Sequence, residues 1–259
     1  MTKQVQHWVR YQQANNGIGF GTLHGERIRE HRGDMFDAPE PTGRELALPD
    51  VRLLSPTRPT KVIALWNNFA ALGAKLGLAA PTEPLYFLKS PNSFAGPLDV
   101  IRQPRSRGKV VFEGELGIVI GKTASGVDEA NAMAHVFGYT CANDVTEADI
   151  LNRDASFTQW VRAKGFDTFC PMGPVVATGL DASTLVVTTT LNDSQRQNYP
   201  VSDMRFSVDR LVSLISADMT LNPGDVILCG TSIGVGSMKP GSDITVEIAG
   251  IGALHNRYE

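Results

Sequence analysis

The sequence predicts an α+β protein dominated by strands, on three observations. Short runs rich in Val, Ile, Leu and aromatic residues recur along the chain, each bounded by Gly, Pro, Asn or Asp. Only one segment, opened by Ser207, keeps a clear helical period, with Val208, Leu211, Val212 and Ile215 at i, i+3, i+4 and i+7. At 259 residues with 42% hydrophobic content, the chain is long enough to bury a full core, as one large domain with an appendage or as two domains.

Residues 1–58 read as a small N-terminal β domain with a connector. Trp8 to Tyr11 predicts a strand, Asn15-Asn16-Gly17 a hairpin turn, Ile18 to Leu23 the returning strand and His24-Gly25-Glu26 a second turn. Gly17, Gly19 and Gly21 do not have dinucleotide-fingerprint spacing, and no helix follows them. Pro39 to Pro59, rich in proline and polar residues, predicts a connector around a larger domain.

Residues 59–259 form the main domain. Lys61 to Leu65 is a strand, and a short helix follows Trp66-Asn67-Asn68, with Phe69, Leu72 and Leu76 on one face and Gly77 at its end. Leu85 to Lys89 is a strand, Ser125-x-x-Asp128 opens a helix through Val136, and Phe137 to Asp144 returns as a strand. Thr146-x-x-Asp149 starts a brief helix, and Trp160 to Gly173 is irregular, with charges set among aromatics. Leu185 to Leu191 and Arg196 to Val201 pair as a hairpin around Asn192-Asp193, and strands and turns fill the rest.

Charge and cysteine usage narrow the function classes. A net charge of -3 and a pI near 6.0, without long runs of like charge, give no footprint for nucleic acid or an acidic membrane surface. A small molecule is the expected partner. Cys141, Cys170 and Cys229 are odd in number and lack zinc spacing, so they read as small buried apolar residues in a reducing compartment. With no apolar leader core at the N-terminus and no segment of transmembrane length, the expected location is the cytoplasm.

The chemistry concentrates in Val110 to Ile120, an apolar strand pattern that holds Glu113 and Glu115. Residues i and i+2 of a strand share a face, so two carboxylates project together, roughly 7 Å apart at the backbone. Val111 and Val119 fall on that same face, which is therefore not simply a solvated one. Buried like charges call for a cation, and hard oxygen ligands point to Mg²⁺ or Mn²⁺. Asp144, at the polar end of its strand, supplies a third carboxylate. Lys164 is placed to neutralise a second negative group, although alone it would read as a solvated loop lysine.

Five separated motifs, in order, resemble the fumarylacetoacetate hydrolase family. They are Phe112-Glu113-Gly114-Glu115-Leu116, Gly138-Tyr139-Thr140 with Asn143-Asp144-Val145, RAKGFDTFCPMGP from Arg162 to Pro174, Ser202-Asp203-Met204, and LNPGDVILCGTSIGVG from Leu221 to Gly236. The resemblance, which covers residues 61–259, implies a mixed β-roll fold, a homodimer and an Mg²⁺ or Mn²⁺ site made by Glu113, Glu115 and Asp144. It further implies a 2-oxo acid substrate, with Lys164 catalytic and Lys164, Thr231, Gly230 and Asn68 in substrate binding. The implied activity is metal-dependent hydrolysis of a C–C bond in an acylpyruvate-like acid of aromatic catabolism. Isomerisation or decarboxylation of 2-hydroxymuconate-type or oxaloacetate-type acids stands close behind.

One departure from that pattern matters. Family hydrolases carry a histidine three residues beyond the aromatic of an Asn-aromatic pair, and a glutamate three further on, to deprotonate a water. After Asn68-Phe69 this chain has Leu72 and Lys75 at those positions, and Ala70 directly after the aromatic. A metal- and 2-oxo-acid-binding homologue without its base is therefore a competing reading. A serine hydrolase is another, because Gly230-Thr231-Ser232-Ile233-Gly234 fits Gly-x-Ser-x-Gly and Asp243 and His255 follow. That motif needs a helix after it, whereas Pro240-Gly241 and a strand come next.

Overall fold

The computed structural model describes residues 4–259. The chain opens as an antiparallel meander of β1 (Gln6–Gln13), β2 (Ile18–His24), β3 (Arg27–Asp34) and β4 (Asp37–Ala47), with β5 (Val51–Leu53) returning on β1. The connector expected from Pro39 is instead mostly strand β4. Its prolines are tolerated because β4 is the outermost strand of its sheet, where a missing amide costs no ladder bond.

The larger portion begins with β6 (Val62–Trp66), helix α1 (Ala70–Leu76) and β7 (Leu85–Lys89). Gly77 ends α1 in the left-handed conformation, as expected, but Leu76 is 50% exposed, so the predicted apolar face is only partly covered. Two short strands, β8 (Phe94–Ala95) and β9 (Val100–Ile101), precede β10 (Val110–Phe112) and β11 (Gly114–Ile120). Helix α2 (Glu129–Ala132) starts at Asp128, three residues later than the Ser125 pattern predicts, and a single tighter turn carries it to His135. Then come β12 (Val136–Asn143), β13 (Thr146–Glu147), α3 (Ala148–Leu151) and α4 (Trp160–Lys164).

Strand β14 (Cys170–Thr178) runs through the middle of the main sheet, where the sequence pattern predicts irregular chain as far as Gly173. Buried on both faces, β14 has no alternation for a pattern argument to catch. The remaining elements are β15 (Val186–Leu191), β16 (Ser194–Pro200), α5 (Val208–Asp218), β17 (Val226–Leu228), β18 (Gly236–Ser237), β19 (Ser242–Ile248) and β20 (Gly252–Tyr258).

These strands make three sheets. The main one has the order β4-β3-β2-β1-β14-β12-β11-β17-β6-β7, so the N-terminal meander continues the sheet of the larger portion through the β1–β14 pairing. A five-stranded sheet, β16-β15-β19-β20-β9, packs over it, and a three-stranded one, β13-β10-β18, closes one end. The largest core cluster, with Leu116, Ile118, Val187, Val246, Leu211 and Ile215, seals the space among the two larger sheets and α5. The strand-dominated α+β class predicted from the sequence is the observed one. The protein contains no helix long and apolar enough to cross a membrane among the described residues.

Candidate metal centre and active site

Glu113 lies where the chain passes from the three-stranded sheet into the main sheet. Strand β10 pairs with β13 and β18, whereas β11 pairs with β12 and β17. The expected single strand through both glutamates is therefore broken at Glu113. The cause is a side chain in the ladder: Asn143 Oδ1 accepts the Glu113 amide at 2.9 Å, while Glu113 O accepts from Asp144 N at 2.9 Å. Gly114 follows under β15, and a Cβ there would stand 2.0 Å from Thr189 Oγ1, so only glycine fits. Strand β15 therefore fills the space beside Gly114.

The break gathers the three carboxylates. Glu113, Glu115 and Asp144 each offer an oxygen within 4.8 Å of the others. Glu115 and Asp144 are fully buried, and the Glu113 side chain is 12% exposed. Lys164, the last residue of α4, donates to Asp144 Oδ2 at 2.5 Å and to Glu113 Oε1 at 3.0 Å. Sequence reasoning missed Lys89, whose Nζ lies 2.6 Å from Asp144 Oδ1 and donates to Phe169 O at 2.9 Å. Its only sequence signal is alternation: Leu85, Phe87 and Lys89 share a strand face, so an inward Phe87 implies an inward lysine. Thr146, whose hydroxyl donates to Glu113 Oε1 at 2.5 Å, had no such signal.

Three carboxylates against two ammonium groups leave one buried negative charge uncompensated, and the proton affinities follow. Burial, with the charges of Asp144 and Glu113, raises Glu115 well above the usual carboxylate range. Burial also works against the ionised form of Asp144, but Lys164 and Lys89 on either side outweigh it and hold the carboxyl below its usual value. For Lys164, burial is outweighed by Asp144 and Glu113, and its ammonium form is strengthened. Glu115 is thus the member of the cluster that takes a proton when no cation is bound.

A loop after β17 closes the centre. Gly230, at φ +88°, turns its amide onto Glu115 Oε2 at 2.8 Å. Glu115 Oε1 is buried with no hydrogen-bond partner. Thr231 Oγ1 donates to Gly114 O at 3.0 Å and accepts from Gln197 Nε2 at 2.8 Å, and Tyr199 OH also donates to Gly114 O, at 2.5 Å. Gln197 and Tyr199 come from the β15–β16 hairpin and carried no sequence signal for the site. Asn68 is buried with its amide engaged by backbone: Nδ2 donates to Cys229 O at 2.8 Å, and Oδ1 accepts from Phe206 N at 3.1 Å. These bonds tie the chain just before α1 to Cys229 and Phe206. Asp203 accepts from Ala71 N at 3.0 Å at the start of that helix, and the Phe69 ring meets Tyr199 edge-on at 4.9 Å.

All five histidines are engaged elsewhere. His7 bonds Gly250 O, His24 bonds Thr22, His31 bonds Arg29 O, His135 bonds the Lys122 and Thr123 carbonyls, and His255 bonds Thr245. On α1, Leu72 is half-buried and Lys75 exposed. The serine-hydrolase arrangement is not assembled: β18 and not a helix follows Gly234, and Asp243 pairs with Arg257.

The donor set fits a divalent cation. Three carboxylates of hard oxygen, one with an orphaned buried atom, surround a point where positive charge is in deficit. Mg²⁺ and Mn²⁺ suit such ligands.

The chain is similar to known proteins along almost its whole length. Residues 61–259 match the family model described as fumarylacetoacetate (FAA) hydrolase C-terminal, and residues 6–56 match one described as Rv2993c-like, N-terminal. The fold is similar to 2-hydroxyhepta-2,4-diene-1,7-dioate isomerase from Mycobacterium marinum, at TM-score 0.89 and 38% identity over 98% of both chains. It is also similar to 5-carboxymethyl-2-hydroxymuconate delta-isomerase from Mycobacterium smegmatis, at TM-score 0.90 and 39% identity over 97% of this chain and 98% of that one. A mitochondrial oxaloacetate tautomerase, fahd2 of Xenopus laevis, is 37% identical over 222 residues, 82% of this chain and 69% of that protein.

Proposed function

The chain belongs to the fumarylacetoacetate hydrolase family, and we propose that within it this protein interconverts enol and keto forms, or double-bond isomers, of a 2-oxo acid. The observation that carries the reading is a buried Glu113-Glu115-Asp144 cluster with Lys164 in its midst and no imidazole bonded to it. Mg²⁺ or Mn²⁺ held by the three carboxylates would supply Lewis-acid polarisation of the 2-oxo group.

The chain's own residues do the rest. Lys164 Nζ, kept protonated by Asp144 and Glu113, stabilises negative charge as it develops on the enolate oxygen. Thr231 and the amides of the loop after Gly230 hold the substrate carboxylate. Asn68 and Asp203 fix α1, and Phe69, fully buried on Tyr199, keeps water from the centre.

Enol–keto conversion moves one proton between carbon and oxygen, and double-bond isomerisation moves one between two carbons by way of the enol; neither consumes an attacking water. Hydrolysis of a C–C bond needs a base to deprotonate that water, and Ala70, Leu72 and Lys75 supply none. Hydrolysis of an acylpyruvate is the second reading, favoured by the match of residues 61–259 to the hydrolase model. A homodimer and a cytoplasmic setting accompany either reading as proposals; light scattering tests the first.

The deciding experiment offers oxaloacetate, acetylpyruvate, fumarylpyruvate and a 2-hydroxymuconate with Mn²⁺, then with excess chelator. Chelator-sensitive conversion to an isomer supports the proposal. Chelator-sensitive release of two fragments supports hydrolysis. Silence throughout, with Mn²⁺ and oxalate bound, supports a homologue that binds without turning over.

A further inference from the structure

We propose that a ring-binding subsite lies beside Lys164, walled by Trp66, Phe87 and Trp160, and that it receives a planar, uncharged group at the far end of the substrate. The substrate class at the near end rests on the function proposed above.

The subsite follows from the pairing of two strands. Strand β7 alternates, so Leu85, Phe87 and Lys89 share one face, and their partners on β6 are Trp66, Ala64 and Val62. At the inner end of this face Lys89 reaches Asp144 at 2.6 Å. One rung outward, the Phe87 ring centre is 5.1 Å from Lys164 Nζ. At the outer rung Trp66 stands opposite Leu85. Trp160 precedes Lys164 by four residues, so α4 presents both on one side. It stacks on Phe87 at 5.0 Å with 15° between the planes and meets Trp66 at 5.4 Å. A ladder of rings therefore leads from the carboxylate cluster to the surface, spanning about 13 Å from Lys89 to Leu85 at strand rise.

The ladder borders an open cavity of about 390 Å³, completed by Pro84, Leu85 and Tyr86. Trp66, Phe87 and Trp160 are only half-buried, and Leu85 is 42% exposed. None of the six lining residues is charged. A substrate ending in a second carboxylate would find no cation in this cavity, while a ring would cover apolar surface that is otherwise wet. The chemistry points to a 2-oxo or 2,4-dioxo acid with an aromatic or conjugated neutral terminus. This differs from the dioate in the name of one structural neighbour.

The test compares benzoylpyruvate, acetylpyruvate and fumarylpyruvate, which share the 2,4-dioxo acid end and finish in phenyl, methyl and carboxylate groups. With Mn²⁺, kcat/KM for the phenyl compound should exceed both others by about 10- to 100-fold, the range expected for a ring in an apolar pocket. Trp160→Leu and Trp66→Leu should each collapse that ratio, and Trp160→Phe should restore most of it. Trp8→Phe should leave the ratio alone, because Trp8 packs on Phe20, His31 and Phe137 in a separate cluster. Calorimetric dissociation constants for the same three compounds provide a readout that needs no turnover. If none is turned over, the proposed function fails, yet tighter binding of the phenyl compound that is lost in Trp160→Leu still supports the subsite. Equal binding of all three, a preference for fumarylpyruvate, or a ratio unmoved in both leucine variants overturns it.

Discussion

Glu115→Gln separates what the buried cluster costs the fold from what it does for the cation. In the ion-free protein, once pH rises above its elevated pKa, the Glu115 carboxylate is fully buried, faces two like charges and has one oxygen without a partner. Glutamine keeps the shape, still accepts the Gly230 amide, and offers an N–H to the neighbouring carboxylates. Leaving a buried polar atom unsatisfied costs about 1–3 kcal/mol, so the variant recovers roughly that much. For a chain of this size, this corresponds to a rise in melting temperature of roughly 2–12 °C in excess chelator.

The sign with pH follows from linkage. Glu115 has a folded pKa above its unfolded one, so the folded state holds the proton between the two values. Its contribution is most favourable below the unfolded carboxylate pKa of about 4.3 and is lost as pH rises through the folded value. The advantage of Glu115→Gln should therefore grow from pH 5 to pH 9 in chelator. With Mn²⁺ the order reverses, since the wild type gains stability by mass action and the variant has lost a ligand. Thermal melts across pH, with and without Mn²⁺, read both effects. A variant less stable than wild type in chelator at every pH, or one that Mn²⁺ stabilises equally, would refute the reasoning.

Other substitutions test other parts of the account. Lys164→Ala should keep Mn²⁺ binding, measured by calorimetry, and lower kcat by about 100-fold or more, because its part is electrostatic stabilisation and not ligation. Gly114→Ala forces a Cβ to 2.0 Å from Thr189 Oγ1 and should destabilise the fold by about 1–3 kcal/mol in denaturant melts. Adding Thr189→Ala should recover most of that, since the contacts that remain are Gln197 Oε1 at 3.2 Å and the Cβ of residue 189 at 3.3 Å. Leu72→His places an imidazole on α1 and should create measurable C–C hydrolysis of acetylpyruvate where the parent shows only isomerisation; no gain would mean that the missing base does not set the reaction.

How much was legible in the sequence depended on whether a signal was local. Glu113, Glu115 and Asp144 announced themselves because carboxylates inside apolar strands conflict with burial, and they do share one centre. Lys164, which alone reads as a solvated lysine, is buried in ion pairs with two of them. The hairpin around Asn192-Asp193 and the helix after Ser207 followed from turn chemistry and period, as did the strand-dominated class. Strand β14 was missed because a strand buried on both faces has no alternation, and β4 because an outer strand tolerates prolines that read as connector. The break at Glu113 depends on a side chain thirty residues away, Asn143, and the inward turns of Lys89 and Gln197 depend on which strands become neighbours. Apart from the alternation that aligns Lys89 with Phe87, such long-range pairings leave no trace in a local window.

The central claim is that this centre moves a proton on a 2-oxo acid without cutting its carbon chain. Proton NMR of oxaloacetate and acetylpyruvate in D₂O with Mn²⁺ and catalytic enzyme, compared with chelator and with Lys164→Ala, tests it directly. The expected result is enzyme-dependent conversion between enol and keto signals, with solvent deuterium entering C3 and the carbon skeleton intact, abolished by chelator and by the substitution. Appearance of pyruvate and acetate from acetylpyruvate, or exchange at the uncatalysed rate, would contradict it.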